Sequence, residues 1–143
     1  ELNNFCNRFE LPPKQRKRLL WQKRKVDHIA VHMLRRPAMK PADVYWLLQE
    51  LDNEGLLYLM IIARKKYIRQ NVSHYVNKMR KVQPLLSGRD LLRLGYQPGV
   101  SFRLMLNHLI GAQLNGKINS KEEAVALIQR KYPSAYPETP DNR

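Results

Sequence analysis

Residues 87–116 constrain the fold most, because helix-start, turn and helix-stop signals follow one another there. Ser87 is a favoured N-cap residue, and Asp90 stands three residues later in an acidic form of the capping box. Gly95 suits the left-handed position that ends a helix. The stretch therefore predicts a short helix from Ser87 to about Gly95.

A tight turn and a second helix are predicted to follow. Pro98 fixes the backbone, and Gly99 allows the chain to approach another molecule closely. The second helix begins near Val100 and closes at Gly116, with an inward stripe at Phe102, Leu106, Leu109 and Gln113 or Leu114. Backbone N–H groups at such a turn are a suitable seat for a phosphate, although a plain corner between two helices also fits the pattern.

The rest of the chain carries the same helical spacing of apolar residues. A helix over about 14–36 is predicted to face inward with Leu19, Val26, Ile29, Ala30 and Met33. Shorter helices follow over 41–51 and 66–82 and from Ser120. Residues 56–63 are apolar on nearly every face, which predicts a central core helix. A further short helix is predicted over 2–9.

No strand pattern or repeat is visible, so the fold class is predicted to be all-α. We expect seven or eight helices with short connections, forming an elongated helical bundle without a sheet. The joint near Gln83–Pro84 divides this bundle into a body-like subdomain over 1–83 and a tail-like subdomain over 84–132 with the helix-turn-helix at 87–116. Pro137 and Pro140 in a polar segment predict a disordered tail over 133–143.

The charge balance favours a polyanionic partner. Lys and Arg number 26 against 12 Asp and Glu, which gives a net charge of +14. Nucleic acid fits this charge best, followed by an anionic membrane surface and an acidic protein. No acidic residue lies between Gly55 and Arg89, whereas seven cations do, which predicts a surface that contacts a polyanion: Arg64, Lys65, Lys66, Arg69, Lys78, Arg80 and Lys81.

The first long helix also has a cationic side with an aromatic residue in it. Helical geometry places Lys14, Lys17, Trp21, Arg24, His28 and Arg35 opposite the inward stripe. Trp21 can stack on a base or sugar, or it can pack against another helix or domain. Packing is the favoured interpretation because large aromatic side chains are usually buried.

Catalytic chemistry is not predicted for this chain. No phosphate-binding loop, dinucleotide fingerprint or nucleophile elbow occurs. His28 and His32 lie one helical turn apart but lack a third metal ligand, and no pair of aspartates is spaced to hold a divalent ion. We therefore expect no catalytic and no metal-binding residues.

The expected cellular location follows from three features of the sequence. Cys6 is the single cysteine, no apolar run is long enough for a membrane span, and no secretory signal is expected. These features predict a cytoplasmic protein that does not insert into a membrane. A start at Glu1, without Met, leads us to expect a piece of a longer protein.

The segment 87–123 resembles the C-terminal part of bacterial-type (class II) tRNA nucleotidyltransferases and the related poly(A) polymerases. The resemblance is best with the A-adding members and extends less clearly to Pro41–Leu59 and Lys17–Trp21. Val100 departs from it, since the family usually has a second proline there. The matching residues are Ser87, Gly88, Asp90, Leu91, Leu94, Gly95, Pro98, Gly99, Leu106, Ala112, Leu114, Gly116, Ile118 and Lys121–Ala124.

The resemblance implies a body and tail that clamp the elbow and acceptor stem of tRNA while an N-terminal catalytic head adds nucleotides. Mg²⁺ and a nucleoside triphosphate are then expected only at that head, which this chain lacks. RNA and the head are the expected partners, and the chain could also form a homodimer. Together with the basic surface, the resemblance predicts an RNA-binding set of Lys17, Arg24, Lys66, Lys81, Arg89, Arg93, Gly95, Gly99 and Arg103.

Two other functions fit the same residues. Trp21 and Trp46 could anchor a helical protein-interaction or oligomerisation module. Alternatively, the Gly95–Gly99 turn could bind DNA in the manner of a helix-hairpin-helix module.

Overall fold

The computed structural model describes Asn7, Arg8, Glu10 and residues 12–133. Within these residues the protein forms seven α-helices, one 3-10 helix and no strand, which confirms the all-α prediction. The helix predicted over 2–9 and the tail predicted over 133–143 lie almost entirely outside the described residues. The α-helices are α1 (Pro13–Arg35), α2 (Pro41–Leu48), α3 (Asn53–Ile62), α4 (Lys66–Asn77), α5 (Gly88–Arg93), α6 (Val100–Leu114) and α7 (Lys121–Lys131), and the 3-10 helix spans Met79–Lys81.

The chain divides into two compact units, Glu1–Arg80 and Lys81–Arg143. The first contains α1 to α4, and the second contains α5 to α7. The boundary predicted from the sequence, between 83 and 84, falls a few residues later. No helix of the described part is both long enough and apolar enough to cross a membrane.

In the first unit, α1 packs against α3 and α4, while α2 and α3 also contact α4. Pro13 at the first position of α1 suits a helix start, because its missing N–H would have no partner there. The core takes one stripe from each helix: Val26, Ile29 and Met33 from α1, Ala42, Val44 and Leu48 from α2, Leu56 and Leu59 from α3, and Ile68, Val72 and Tyr75 from α4.

The start of α3 is tied to α1 by polar contacts. Asp52 is the N-cap of α3, and its carboxylate accepts a hydrogen bond from the Gly55 N–H at 2.8 Å. The other carboxylate oxygen accepts from the Gln22 side-chain amide and lies 3.5 Å from the Arg18 guanidinium. These contacts fix the position along the axis of α1 at which α3 packs.

The prediction that 56–63 forms a central core helix is wrong for part of its surface. Leu57 and Ile61 are 61% and 73% exposed, whereas Leu56 and Leu59 are buried. Among the described elements helix α3 packs mainly against α1 and α4, so it buries one stripe rather than its whole circumference. An apolar sequence does not reveal how many neighbours a helix will have.

Two further predictions of inward faces need correction. Leu19 is 37% exposed, because it lines an open recess between α1 and α3 together with Tyr58. On α6 the fully buried positions are Met105, Leu109 and Ala112, while Phe102 and Leu106 are only partly buried. The buried face of α6 is the one between α5 and α7, which both contact it.

The predicted caps of the second unit form as expected. Ser87 and Asp90 make a reciprocal capping box at the start of α5. At its end Gly95 has a φ of +84°, its N–H bonds the Leu92 carbonyl at 3.0 Å, and the Tyr96 N–H bonds the Leu91 carbonyl at 3.1 Å. This is a Schellman motif, in which the left-handed residue favours glycine.

A Schellman motif also ends α6. Gly116 has a φ of +65°, its N–H bonds the Gln113 carbonyl at 2.9 Å, and the Lys117 N–H bonds the Ala112 carbonyl at 2.8 Å. Both chain reversals bring the helices onto one core, formed by Leu86, Leu91, Tyr96, Met105, Leu109, Ala112, Ile118, Ala124 and Ile128.

Candidate nucleic-acid interface

The structure exposes every cation of the predicted RNA-binding set. No salt bridge joins any of these cations to a carboxylate within the described part of the chain; the ion pairs found there use Arg18 and Lys23 instead. Exposed cations that form no salt bridge remain available to an outside partner. The exposed residues are Lys17, Arg24, Lys66, Lys81, Arg89, Arg93 and Arg103.

On α1 the structure brings Lys17 and Arg24 to the same side as Trp21. Together with Arg18 and Leu20 they line a shallow recess of about 530 Å³ against the indole ring. Trp21 is 54% exposed. No other described helix covers the ring, so of the two forms of the packing prediction the one against another helix does not hold among the described residues, and packing against a further domain stays a prediction.

The cation closest to Trp21 was not in the predicted set. The Lys25 ammonium lies 4.0 Å from the centroid of the indole ring, a cation–π distance. The same ammonium donates a hydrogen bond to the Glu50 carbonyl at 3.2 Å. Lys25 and Trp21 are four residues apart on one helix, so the spacing could have indicated this contact.

In the second unit Arg89 and Arg93 lie on one side of α5 and line a second shallow depression. Lys121, the first residue of α7, lies on its rim, and Pro84 and Leu85 complete the wall. Three cations therefore surround a depression that contains a single carboxylate, Asp90. Sequence reasoning missed Lys121, because only the packing of α7 on α6 brings it to α5.

Asp90 is committed to the helix cap. One of its oxygens accepts hydrogen bonds from the Ser87 hydroxyl at 2.6 Å and from the Ser87 N–H at 2.7 Å. These hydrogen bonds, above all the one from the hydroxyl, lower the pKa of Asp90, and the charges of Lys121 and Arg93 lower it further. Asp90 is thus ionised at neutral pH and neutralises only part of the positive charge of Arg89, Arg93 and Lys121.

The turn between α5 and α6 is open to an outside molecule. Gly99 is the N-cap of α6, no side chain caps the helix, and a Cβ built on Gly99 would meet nothing within 4 Å. Arg103 is exposed on the first turns of α6 but does not belong to the depression lined by Arg89 and Arg93. The structure therefore divides the cations predicted for this turn between two places.

The remaining predicted cations stand apart. Lys66 is the first residue of α4, and Lys81 is the last residue of the 3-10 helix. Two arginines of the acid-free stretch stabilise the fold. Arg69 donates a hydrogen bond to the Ala63 carbonyl at 3.1 Å, and Arg80 donates to the Asn53 side-chain oxygen at 2.7 Å. The positively charged residues of this stretch therefore include two that stabilise the fold and others that are exposed on the surface.

A polar cluster that the sequence did not indicate lies between α6 and α7. His108 Nδ1 is 3.2 Å from the Tyr132 hydroxyl, and His108 Nε2 is 2.7 Å from the Lys131 ammonium. The Tyr96 hydroxyl donates to the Tyr132 carbonyl at 2.6 Å. Partial burial, with the charges of Lys131 and Lys117, lowers the pKa of His108, so the neutral ring accepts from Lys131.

Metal ligands are not assembled in the described residues. No group of three or more His, Cys, Asp or Glu side chains is placed there to hold an ion. The histidines considered from the sequence, His28 and His32, lie on α1, where His28 is exposed.

Comparison with known proteins gives one informative relative. The A-adding tRNA nucleotidyltransferase of Geobacter sulfurreducens is 28% identical over 134 residues, which cover 91% of this chain. Over most of its length the chain is similar to a tRNA nucleotidyltransferase. This similarity confirms the resemblance inferred from 87–123 and extends it over nearly the whole sequence. The chain spans only 15% of the length of that enzyme. No family model and no solved structure matches the chain.

Proposed function

We propose that this chain is the RNA-binding C-terminal region of an enzyme similar to tRNA nucleotidyltransferases or poly(A) polymerases. In this proposal it anchors the elbow and acceptor stem of tRNA on a basic helical surface. A catalytic head outside this chain adds nucleotides to the 3′ end, and Mg²⁺ and the nucleoside triphosphate belong to that head. The observation that carries the proposal is the similarity to an A-adding tRNA nucleotidyltransferase over 91% of the chain.

The charge distribution supports the same partner. A net charge of +14 attracts a polyanion, and the cations of the predicted RNA-binding set form no salt bridge among the described residues. Double-stranded RNA is recognised mainly through its shape and backbone. Arg89, Arg93 and Lys121 are suited to this task, because they contact phosphates without requiring a base sequence.

The proposal is tested by binding of the protein to folded tRNA and to duplex DNA of equal length, across a series of salt concentrations. We expect tRNA to bind more tightly and log K to fall steeply with log salt. An Arg89→Ala/Arg93→Ala variant should weaken tRNA binding and reduce the magnitude of that slope by about 0.7 to 0.9 for each lost phosphate contact.

A matched control separates this site from net charge. Lys40→Ala/Arg130→Ala removes the same charge from two exposed positions outside the predicted set and outside the acid-free stretch. It should leave the slope closer to that of the unaltered protein than the Arg89/Arg93 variant does. Equal effects of the two double variants would contradict a localised site, and equal binding of duplex DNA and tRNA would favour the DNA-binding alternative.

A protein-interaction function is the second candidate, and the exposed face of α3 favours it. Leu57 and Ile61 project an apolar surface that no described element covers. If this surface mediates self-association, sedimentation should reveal a dimer that persists at high salt and is lost in Ile61→Lys. A monomer at all concentrations would exclude self-association through α3.

A further inference from the structure

Trp21 is the most exposed large aromatic side chain among the described residues of the first unit, and it lies among cations. Its ring borders the recess formed with Lys17, Arg18 and Arg24. An indole that is 54% exposed leaves much apolar area in water, which costs free energy unless a partner covers it. The location therefore indicates a binding surface rather than a packing position.

The ring is held in place by Lys25. The Lys25 ammonium is positioned 4.0 Å from the ring centroid and is itself hydrogen-bonded to the Glu50 carbonyl, which follows α2. A cation held by a second element restrains the rotamer of the indole. Trp21 is consequently preorganised before any ligand arrives, which reduces the entropy lost on binding.

Lys17 and Arg24 flank Trp21 along the helix axis. They lie one helical turn before and one turn after it, and their Cα atoms are separated by about 10 Å along the axis. A nucleotide stacked on the indole would have its neighbouring phosphates within reach of these two long side chains. The aromatic surface and the two charges thus match the two parts of a nucleotide.

We propose that Trp21 is a stacking platform for an unpaired nucleobase, with Lys17 and Arg24 binding the flanking phosphates. The proposal rests on the proposed RNA-binding function and adds a single-stranded element to it. Aromatic stacking tolerates any base, because every base presents a π-face. The site therefore selects unpaired RNA but not a particular sequence.

An apolar protein partner fits this place less well. To cover Trp21 it would have to remove water from Lys17 and Arg24, which form no salt bridge among the described residues, and the desolvation of such charges is unfavourable. A nucleotide supplies a flat apolar face and negative charge together, so it satisfies both the indole and the cations.

Fluorescence of Trp21 can test this proposal directly. In the Trp46→Phe variant Trp21 is the only tryptophan. We expect its emission to be quenched to saturation by a single-stranded RNA of mixed sequence and about eight nucleotides, a length within the usual site size. A duplex RNA of the same length should quench it much less, because its bases are already stacked.

Affinity measurements on variants complete the test. Trp21→Leu should weaken binding of the single strand about tenfold and leave duplex binding almost unchanged. Trp21→Phe should retain most of the affinity, since phenylalanine can still stack. Trp46→Phe is the matched control, which removes the other tryptophan and should not alter the affinity of either RNA.

The results distinguish this proposal from the function on which it rests. If both RNAs bind with a steep salt dependence, but Trp21→Leu has no effect and Trp21 is not quenched, the stacking platform is refuted and the RNA-binding proposal stands. If neither RNA binds even at low salt, the RNA-binding proposal fails and the stacking platform with it.

Discussion

The two glycines of the α5–α6 turn provide a matched pair of substitutions with opposite expected effects. Gly95 has a φ of +84°, whereas Gly99 has a φ of 162°, which is extended backbone that any residue adopts. A Cβ added at either position meets no atom within 4 Å. Gly95→Ala and Gly99→Ala therefore differ in backbone strain and not in steric contact.

The magnitudes follow from this difference. A left-handed conformation costs a residue with a Cβ about 1–2 kcal/mol, and the restricted unfolded chain offsets about 0.4–1 kcal/mol of this. Gly95→Ala should thus lower the free energy of unfolding by about 1 kcal/mol. Gly99→Ala carries no strain, so the unfolded-state effect should raise the free energy of unfolding by up to about 1 kcal/mol.

Native-state amide hydrogen exchange at the buried residues Leu91 and Leu109 would report these changes in the second unit. Tryptophan emission would not, because Trp21 and Trp46 both belong to the first unit. A difference of about 2 kcal/mol between the variants corresponds to roughly 10 °C in Tm for a unit of this size. Equal shifts in the two variants would refute the argument from backbone conformation.

The same pair tests the open start of α6 as a phosphate contact. If backbone N–H groups there bind RNA, the methyl group of Gly99→Ala will hinder the approach and reduce affinity while stability is preserved. Gly95→Ala should then change stability without a comparable effect on RNA affinity. Unchanged affinity in Gly99→Ala would exclude a close approach of RNA to this backbone.

Three further predictions concern stability. Asp52→Ala removes the cap of α3 and the acceptor of the Gln22 amide, so urea unfolding followed by tryptophan emission should show a loss of about 2 kcal/mol. Leu59→Ala should cost about 2–5 kcal/mol in the same assay, whereas Ile61→Ala should cost less than about 0.5 kcal/mol because that side chain is 73% exposed. The folded-state pKa of His108 lies below its unfolded value, so its effect on stability is fully favourable above the unfolded pKa of about 6.5 and declines as pH falls toward the lowered value. His108→Gln should therefore flatten the change in unfolding free energy between about pH 5 and about pH 8, and an unchanged profile would contradict the assigned shift.

The features that were predictable from the sequence are the local ones. The capping box of Ser87 and Asp90 and the left-handed Gly95 depend on contacts between residues a few positions apart, so the order of residue types identifies them. The exposure of Leu57 and Ile61 depends on how many elements surround α3, which no local pattern records. For the same reason the sequence could not show that Trp21 is half exposed in the described structure.

The candidate binding site shows the same difference between local features, which the sequence predicts, and long-range contacts, which it does not. The stripe of Lys17, Trp21 and Arg24 follows from helical periodicity within one element and was identified correctly as one face of α1. Lys121 joins Arg89 and Arg93 only through the folding of the second unit, and the sequence contained no signal for that meeting. Long-range contacts of exposed charged residues are set by packing elsewhere, so periodicity alone cannot reveal them.

Three of the 12 carboxylates of this chain stabilise helix starts. Asp52 caps α3, Asp90 completes the capping box of α5, and Glu123 accepts a hydrogen bond from the Asn119 N–H at 2.6 Å before α7. These acids favour the helices locally and leave most surface cations without neutralising neighbours. The compact state is consequently opposed by repulsion among like charges.

This arrangement predicts opposite effects of salt on folding and on binding. Added salt screens the repulsion within a chain of net charge +14, so the free energy of unfolding should rise between about 0.05 and 0.2 M NaCl. RNA affinity should fall over the same range, because the release of counterions into a more concentrated salt solution is less favourable. Urea unfolding and RNA titration in the same buffers would measure both. If stability fell with salt as affinity does, attractive ion pairs rather than repulsion would dominate the fold, and the view of its cations as a surface reserved for a polyanion would be untenable.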